Sequence, residues 1–333
     1  MNKISLLAID LAKNVFQLHG VDASGMCLVR RQVRRAQLLQ FMARLEPCTV
    51  AMEACSGAHH WGRQFVQLGH QVKLIAPQFV KPFVKGNKTD RNDAQAICEA
   101  AARPQMRFVA LKTVEQQQIL LLHRLRSAAV KERTALANRL RALLGEFGVI
   151  VPQGLARLRR ALPEVLENST QVLPSIVVEE LLLQREHLCA LDAQVQRLES
   201  RIEQQLQLDE RACALMQRRG VGPLIASAFA AQIGSPLSFD NGRQVAAWLG
   251  LVPRQHSSGG KPLLLGISKR GDAYVRTLLI HGARAVLRTA ARHPADALCR
   301  WALSVQQRRG KNKAIVALAN KMARQLWAQL AYG

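Results

Sequence analysis

Four acids carry the first chemical signal in this chain. Asp10 closes the apolar run from Ile4 to Ile9, Glu53 follows the short stretch from Thr49 to Met52, and Asp90 and Asp93 open a helical segment within Lys88 to Ala94. Mg2+ is a hard ion that takes oxygen ligands, and two such ions about 4 Å apart can clamp the attacking and leaving oxygens of a phosphodiester, which calls for several carboxylates. A chain of net charge +24 that handles a polyanion has reason to keep acids away from it, so an acid cluster here is the first place to look for a metal cage. Each acid taken alone has a plainer reading. Asp10 is then a strand-end turn residue, Glu53 a solvated loop residue, and Asp90 and Asp93 an N-cap and a first-turn charge.

A second candidate lies in the last third of the chain. Arg254-Gln255-His256-Ser257-Ser258-Gly259-Gly260-Lys261 is followed by Gly266-Ile267-Ser268-Lys269-Arg270-Gly271-Asp272 and, on the next helix, by Arg276. One reading is a flexible phosphate-binding loop. The other is a nucleophilic hydroxyl, because a serine that attacks phosphorus needs an unhindered backbone and nearby cations such as Lys261, Lys269, Arg270 and Arg276. Upstream, Gly220-Val221-Gly222 reads as a turn between two helices whose backbone N–H groups can hold a phosphate, or as an ordinary helix connection.

These residues need a scaffold, and the pattern around the acids is α/β. Ile4 to Ile9, Val15 to Val21 and a stretch near Cys27 to Val33 predict three strands in a meander. Ala36 to Leu45 is helical, Thr49 to Met52 a short strand, His59 to Leu68 helical, and Gln71 to Ala76 a strand closed by Pro77. That order predicts a ribonuclease-H-like sheet in which Asp10 ends the first strand and Glu53 ends its neighbour. Spacing of i and i+3 puts Asp90 and Asp93 on one helical face.

Charge divides the chain into three. Residues 1–110 hold 15 basic and 7 acidic residues, 111–210 hold 13 and 13, and 211–333 hold 19 and 3. The middle segment is helical. Leu136, Leu140, Leu143 and Phe147, and then Leu188, Leu191, Val195, Leu198, Ile202 and Leu206, have coiled-coil spacing, with Gly145, Gly148, Pro152, Pro163 and Pro174 between the two series. They predict an antiparallel hairpin or a seam with another copy of the chain. The strongly basic last segment favours a nucleic-acid partner through phosphate neutralisation. Seven scattered cysteines without a Cys-x-x-Cys pair read as reduced thiols. The chain has no apolar run long enough to span a membrane and no signal-like start, so a cytoplasmic location is expected.

The ordered motifs carry a resemblance. Asp10 after its strand, Met52-Glu53-Ala54-Cys55-Ser56-Gly57, Lys88-Thr89-Asp90-Arg91-Asn92-Asp93-Ala94, Gly220-Val221-Gly222, Gly250-Leu251-Val252-Pro253 with Ser258-Gly259, and Ile267-Ser268-Lys269-Arg270-Gly271 resemble the DEDD transposases of bacterial insertion sequences, family one-hundred-ten. Ala76 to Pro82 and Gln255 to Lys261 resemble its subgroup eleven-eleven. The resemblance implies an N-terminal RuvC-like domain (1–110), a helical coiled-coil arm (111–210) and a mainly helical C-terminal transposase domain (211–333). It implies that Asp10, Glu53, Asp90 and Asp93 bind Mg2+ and that a serine does the bond-making. That serine is Ser258 by the step after Gly-Leu-x-Pro, or Ser257 counting back from Ser-Lys-Arg-Gly. From the turn and the cations around the serines, Gly220, Gly222, Arg254, Lys261, Lys269, Arg270 and Arg276 are the expected contacts to nucleic acid. The implied partners are donor and target DNA, a structured guide RNA, and further copies of the chain in a dimer or tetramer. An RNA that reads sequence by pairing leaves the protein to hold backbones, which fits a basic surface without a groove-reading motif. Two other readings use the same residues differently: a Holliday-junction-resolvase-like nuclease with water as nucleophile, and a non-catalytic RNA-binding scaffold.

Overall fold

The computed structural model describes residues 3–85, 89–167 and 173–333, apart from the side chains of Asp90 and Pro262. Lys88, at the start of the second acidic motif, lies outside the described residues. The chain divides into two compact units, Met1–Val114 and Glu115–Gly333.

The first unit is built on a six-stranded sheet. Its elements run β1 (Leu6–Asp10), β2 (Val15–Val21), β3 (Cys27–Arg34), α1 (Leu38–Ala43), β4 (Thr49–Glu53), α2 (Ala58–Gln67), β5 (Gln71–Ile75), α3 (Pro77–Val80), α4 (Asp90–Ala101) and β6 (Phe108–Val109). In space the strands lie in the order β3-β2-β1-β4-β5-β6. The meander β1 to β3 is antiparallel, whereas β4 and β5 run parallel to β1. A strand covered on both faces reads as a continuous apolar run, and this explains Leu6 to Ile9. Leu7, Ile9, Val50 and Met52 join Phe16, Leu18, Trp61 and Phe65 in one core with Leu38 and Met42 of α1. Ala8, Ala51 and Ile75 face the other way and pack with Ala96, Ile97, Ala100 and Ala101 of α4. The small residues lie on the α4 side, which lets that helix sit close over the two strands that end in Asp10 and Glu53.

The second unit is helical except for one hairpin. It comprises α5 (Val114–Glu146), α6 (Leu155–Glu167), α7 (Ser175–Gln207), α8 (Glu210–Leu215), α9 (Pro223–Ile233), α10 (Gly242–Trp248), β7 (Pro253–Ser258), β8 (Lys261–Ile267), α11 (Ala273–Thr289), α12 (Ala297–Arg309) and α13 (Lys311–Tyr332). Ion pairs of Arg126 with Glu199 and of Arg133 with Asp192 fix α5 and α7 as an antiparallel pair, since the partner numbers fall as the first numbers rise. Leu188, Leu191, Val195, Leu198, Ile202 and Leu206 are all buried along α7. The α5 side departs from the expected seam. Leu136, Ala137, Leu140 and Leu144 are buried, while Leu143 is 48% and Phe147 37% exposed. The reason is the third helix: Leu158 and Leu162 of α6 join the same core, so the packed stripe follows the i, i+4 series to Leu144. Pro163 lies inside α6 rather than at a break. Farther on, α9 is buried on nearly every side, with Ile225, Ala226, Ala228, Phe229 and Ile233 in one core with α8, α11 and α13.

Candidate active-site elements

The two strand-borne acids are neighbours. β1 and β4 pair in parallel with Ile9 opposite Met52, so the next step brings Asp10 and Glu53 to the same end of adjacent strands. Side chains alternate along a strand, and two residues after Ala8 and Ala51 the carboxylates leave on the face that α4 covers. Both are half-buried. Their nearness shows in Cys55: burial, with the Glu53 and Asp10 carboxylates beside it, pushes that thiol up.

The α4 start is fixed by its cap. Thr89, not Asp90, is the N-cap: its hydroxyl accepts from the Asn92 backbone N–H at 3.3 Å, while Asp90 is the first helical residue. Asp93 donates its backbone N–H to the Thr89 carbonyl at 3.0 Å. Its side chain is half-buried on the stripe that continues through buried Ala96, Ile97 and Ala100. Oxygen donors at two adjacent strand ends, with α4 over the same face, suit a hard divalent ion in type and placement. Among the described residues, however, no three acidic, histidine or cysteine side chains are gathered closely enough to hold one, a statement that leaves out the Asp90 side chain. Sequence reasoning missed Gln17. It is the registered partner of Asp10 across β2, it lies on the same face, and it is 8% exposed.

The serines lie on a hairpin, which corrects the expected flexible loop. β7 and β8 pair antiparallel, with Ser258 opposite Lys261 and Ser257 opposite Pro262. Gly259 and Gly260 form the two-residue turn with φ of +57° and +76°, the left-handed backbone that such turns demand. Because faces alternate, Ser257 and Ser258 present their hydroxyls on opposite sides. Ser257 shares its side with Gln255, whose Nε2 donates to the Ser257 Oγ at 2.8 Å. Ser258 shares its side with His256 and Lys261, and Ser257, Ser258, His256, Arg254 and Lys261 are all exposed.

The root of the hairpin is rigid. Ser268 N–H donates to the Val252 carbonyl at 2.8 Å and Lys269 N–H to the Gly250 carbonyl at 3.1 Å. A Cβ on Gly250 would lie 2.3 Å from the Arg270 carbonyl oxygen, and one on Gly271 only 1.8 Å from that of Trp248. The glycines of the Gly-Leu-Val-Pro and Ser-Lys-Arg-Gly motifs are thus required by backbone on backbone. Lys269, at φ +55°, is the one non-glycine residue with positive φ among the described residues. Lys269 and Arg270 are exposed.

Three of the residues expected to contact phosphate also have places in the packing of the fold. Arg276 is 9% exposed, and its Nη1 donates to the Leu249 and Arg270 carbonyls, each at 2.9 Å. It ties the two legs of the root together, so its guanidinium sits within the fold and not on the open surface with Lys261, Lys269 and Arg270. Gly220 packs against α11: a Cβ there would meet Val286 Cγ2 at 2.3 Å, and one on Gly282 would meet the Gly220 oxygen at 2.4 Å. Gly222 is the N-cap of α9, followed by Pro223 at the first helical position.

A buried polar chain escaped sequence reasoning altogether. His123 of α5 contacts the Tyr274 hydroxyl through Nδ1 at 2.9 Å and Ser227 Oγ through Nε2 at 3.0 Å. Ser227 donates to the Pro223 carbonyl at 2.6 Å, so its hydrogen is used and the imidazole must donate from Nε2 and accept from Tyr274 at Nδ1. Burial holds His123 near pKa 4, so it is neutral in this chain of bonds.

Comparison with known proteins now defines the class. Residues 7–148 match the model of a transposase family labelled DEDD, and residues 212–300 match the model described as Transposase IS116/IS110/IS902 family. A probable family 20 transposase of Pseudomonas aeruginosa is 52% identical over 98% of this chain and 97% of its own length. The transposase for insertion sequence element IS1111A of Coxiella burnetii is 45% identical over 99% of this chain and 90% of its own. That for element IS1328 of Yersinia enterocolitica is 42% identical over 100% and 98%. The chain belongs to the IS110/IS116 family of insertion-sequence transposases, which are DNA-transposition enzymes. No described helix is long and apolar enough to cross a membrane.

Proposed function

We propose that this transposase, of subgroup eleven-eleven, cuts and rejoins DNA through a serine nucleophile, with Ser258 as that serine. The observation that carries the choice is the hairpin's alternation: Ser258 emerges beside Lys261 and His256, whereas the Ser257 hydroxyl already accepts from Gln255. In the proposed step Ser258 Oγ bonds to phosphorus and the P–O bond to the departing strand breaks. The serine proton leaves and the departing oxygen ends as a hydroxyl, so the phosphodiester is conserved as a phosphoserine link until a second hydroxyl reverses the step. Lys261, Lys269, Arg270 and Arg254 are exposed cations suited to the non-bridging oxygens.

The strand order β3-β2-β1-β4-β5, with acids ending β1 and β4, supports a RuvC-like reading of residues 1–110. Asp10, Glu53, Asp90 and Asp93 would hold Mg2+, which when bound polarises phosphate oxygens. Residues 111–210 serve as the coiled-coil arm, in keeping with the antiparallel α5/α7 pair. Residues 211–333 form the transposase domain. A structured guide RNA, paired with donor and target DNA, supplies sequence recognition, and two or four copies of the chain assemble on it.

The experiment is adduct trapping. Purified protein, end-labelled donor DNA, guide RNA and Mg2+ are quenched in detergent and resolved by size. The expected result is a covalent protein–DNA band in the wild type and in Ser257→Ala, absent in Ser258→Ala. Strand cutting without any adduct, unaffected by either serine variant, would replace the serine mechanism with a water-using metal nuclease.

A further inference from the structure

We propose that the open cleft between α10 and α13 is a seat for the phosphodiester backbone of a nucleic-acid strand. This rests on the reading that the protein handles nucleic acid, and it adds a site to it. The cleft is about 490 Å3 and is lined by Asn241, Arg243, Lys321, Arg324, Gln325 and Trp327.

Its walls are fixed from within. A Cβ on Gly242 would meet the backbone Cα and oxygen of Arg324, each at 3.1 Å, so the first turn of α10 rests directly on α13. The Trp327 indole N–H donates to the Pro236 carbonyl at 3.0 Å, which holds a 7% exposed ring as a rigid wall. The Asn241 side chain is occupied in capping α10, accepting from the Arg243 and Gln244 backbone N–H groups at 3.0 and 3.1 Å.

The charges are what the fold leaves uncompensated. Among the described residues Arg243, Lys321 and Arg324 form no ion pair within 4.0 Å, although the second unit pairs Arg126, Arg133, Arg159 and Arg219 with acids. Asp240, the acid nearest in sequence, accepts from the Gln244 side chain. No Asp or Glu follows Asp296, whereas Arg300, Arg308, Arg309, Lys311, Lys313, Lys321 and Arg324 do. Lys321 Nζ is held 4.2 Å from the Trp301 ring centroid, and Arg243 and Arg324 are exposed. Three cations on the walls of one cleft whose lining residues include no acid repel one another until an anion sits between them. A chain of phosphates supplies several anions along a line, while the Asn241 Nδ2, left over from the cap, and the Gln325 amide can donate to phosphate oxygens. Lys321 and Arg324 also lie beyond residues 212–300, outside the stretch matched to the family model.

The test is the salt dependence of binding by the full-length protein. Single-stranded RNA, single-stranded DNA and duplex DNA, each fluorescently labelled, are titrated with wild type and with Arg243→Gln/Lys321→Gln/Arg324→Gln. Each phosphate contact contributes about 0.7 to the slope of log K against log salt for a single strand and about 0.9 for a duplex. The triple variant should therefore lose about 2 units of slope if a single strand occupies the cleft and about 2.7 if a duplex does, and the three probes identify which one that is. Lys321 also packs on Trp301, so the surface pair Arg243→Gln/Arg324→Gln is measured beside it and should lose about 1.5 units. An equal-charge control, Arg308→Gln/Arg309→Gln/Lys311→Gln, should leave the slope on that probe within about half a unit of wild type. Unchanged slopes in both cleft variants, or the same loss in the control, would overturn the site while leaving the transposase reading intact. A wild type that binds none of the three probes would overturn both.

Discussion

The two candidate reactive regions are built in opposite ways. Asp10 and Glu53 end strands that are covered on both faces, and they emerge half-buried under α4. The serines stand on a two-stranded hairpin whose β7 residues are all exposed. The first arrangement suits groups that must converge on an ion to within a few tenths of an ångström, because packed strands hold direction. The second suits a nucleophile that must reach a bulky substrate and be ordered by it. In the proposed mechanism the molecule keeps its carboxylates under structural control and leaves its hydroxyl to the substrate, while the root at Gly250, Gly271 and Arg276 limits how far that freedom extends.

This contrast can be broken at either end. The largest effect is expected from Asp10→Asn and Ser258→Ala, each lowering strand exchange by at least about a thousandfold in a recombination assay, since in the proposed mechanism both remove a group that acts in the transition state. Their thermal melting should differ little from wild type, and a cold inactive Ser258→Ala protein would point to folding rather than chemistry. Next comes Gly271→Ala. A methyl 1.8 Å from the Trp248 carbonyl oxygen, at φ +72°, should destabilise the second unit by at least about 3 kcal/mol, read as a fall in denaturation midpoint. Gly259→Ala at the exposed tip meets nothing within 4 Å and pays only for its φ, about 1 kcal/mol. If the two variants melted alike, the distinction between rigid root and free tip would be lost.

The buried His123 gives a pH test of the helical second unit, where it links α5 to α9 and α11. Its folded value, about 4, lies below the ordinary 6.5, so the unfolded chain takes up a proton first as pH falls. Its contribution is present in full above about pH 6.5 and is lost progressively down to about pH 4, amounting to roughly 3 kcal/mol. Chemical denaturation across that window should show the decline, and His123→Gln should flatten it. The smallest effect belongs to Ser257→Ala, expected to alter strand exchange by less than about fivefold, because it removes a hydroxyl whose visible partner is Gln255. A loss as large as that of Ser258→Ala would reverse the assignment of the two faces.

Much of the first unit was legible because its signals are local. Apolar runs of strand length and acids immediately after two of them marked the strand succession and placed Asp10 beside Glu53. The six-residue α7 series was legible for the same reason, since period and burial coincide there. Leu143 and Phe147 misled because a heptad assumes one partner, whereas α6 adds a second and draws the stripe toward Leu144. The hairpin was hidden by exposure: Arg254 to Ser258 has no buried face to impose alternation, and Gly259-Gly260 looks the same in a loop as in a tight turn. Arg276 reads as a surface cation until the fold brings two carbonyls to it. His123 is likewise silent in sequence, as its partners lie 104 and 151 residues away.

The glycine contacts at the hairpin root bear on how such enzymes can be recombined with one another. Where main chain presses on main chain, no neighbouring side chain can shrink to accommodate a change, so Gly250 and Gly271 admit no compensating partner. The tip carries no such constraint. Residues 253–267 should therefore behave as a cassette, exchangeable with the corresponding hairpin of a relative so long as the two glycines and Arg276 stay in place, and intolerant of any graft whose boundary falls inside that root.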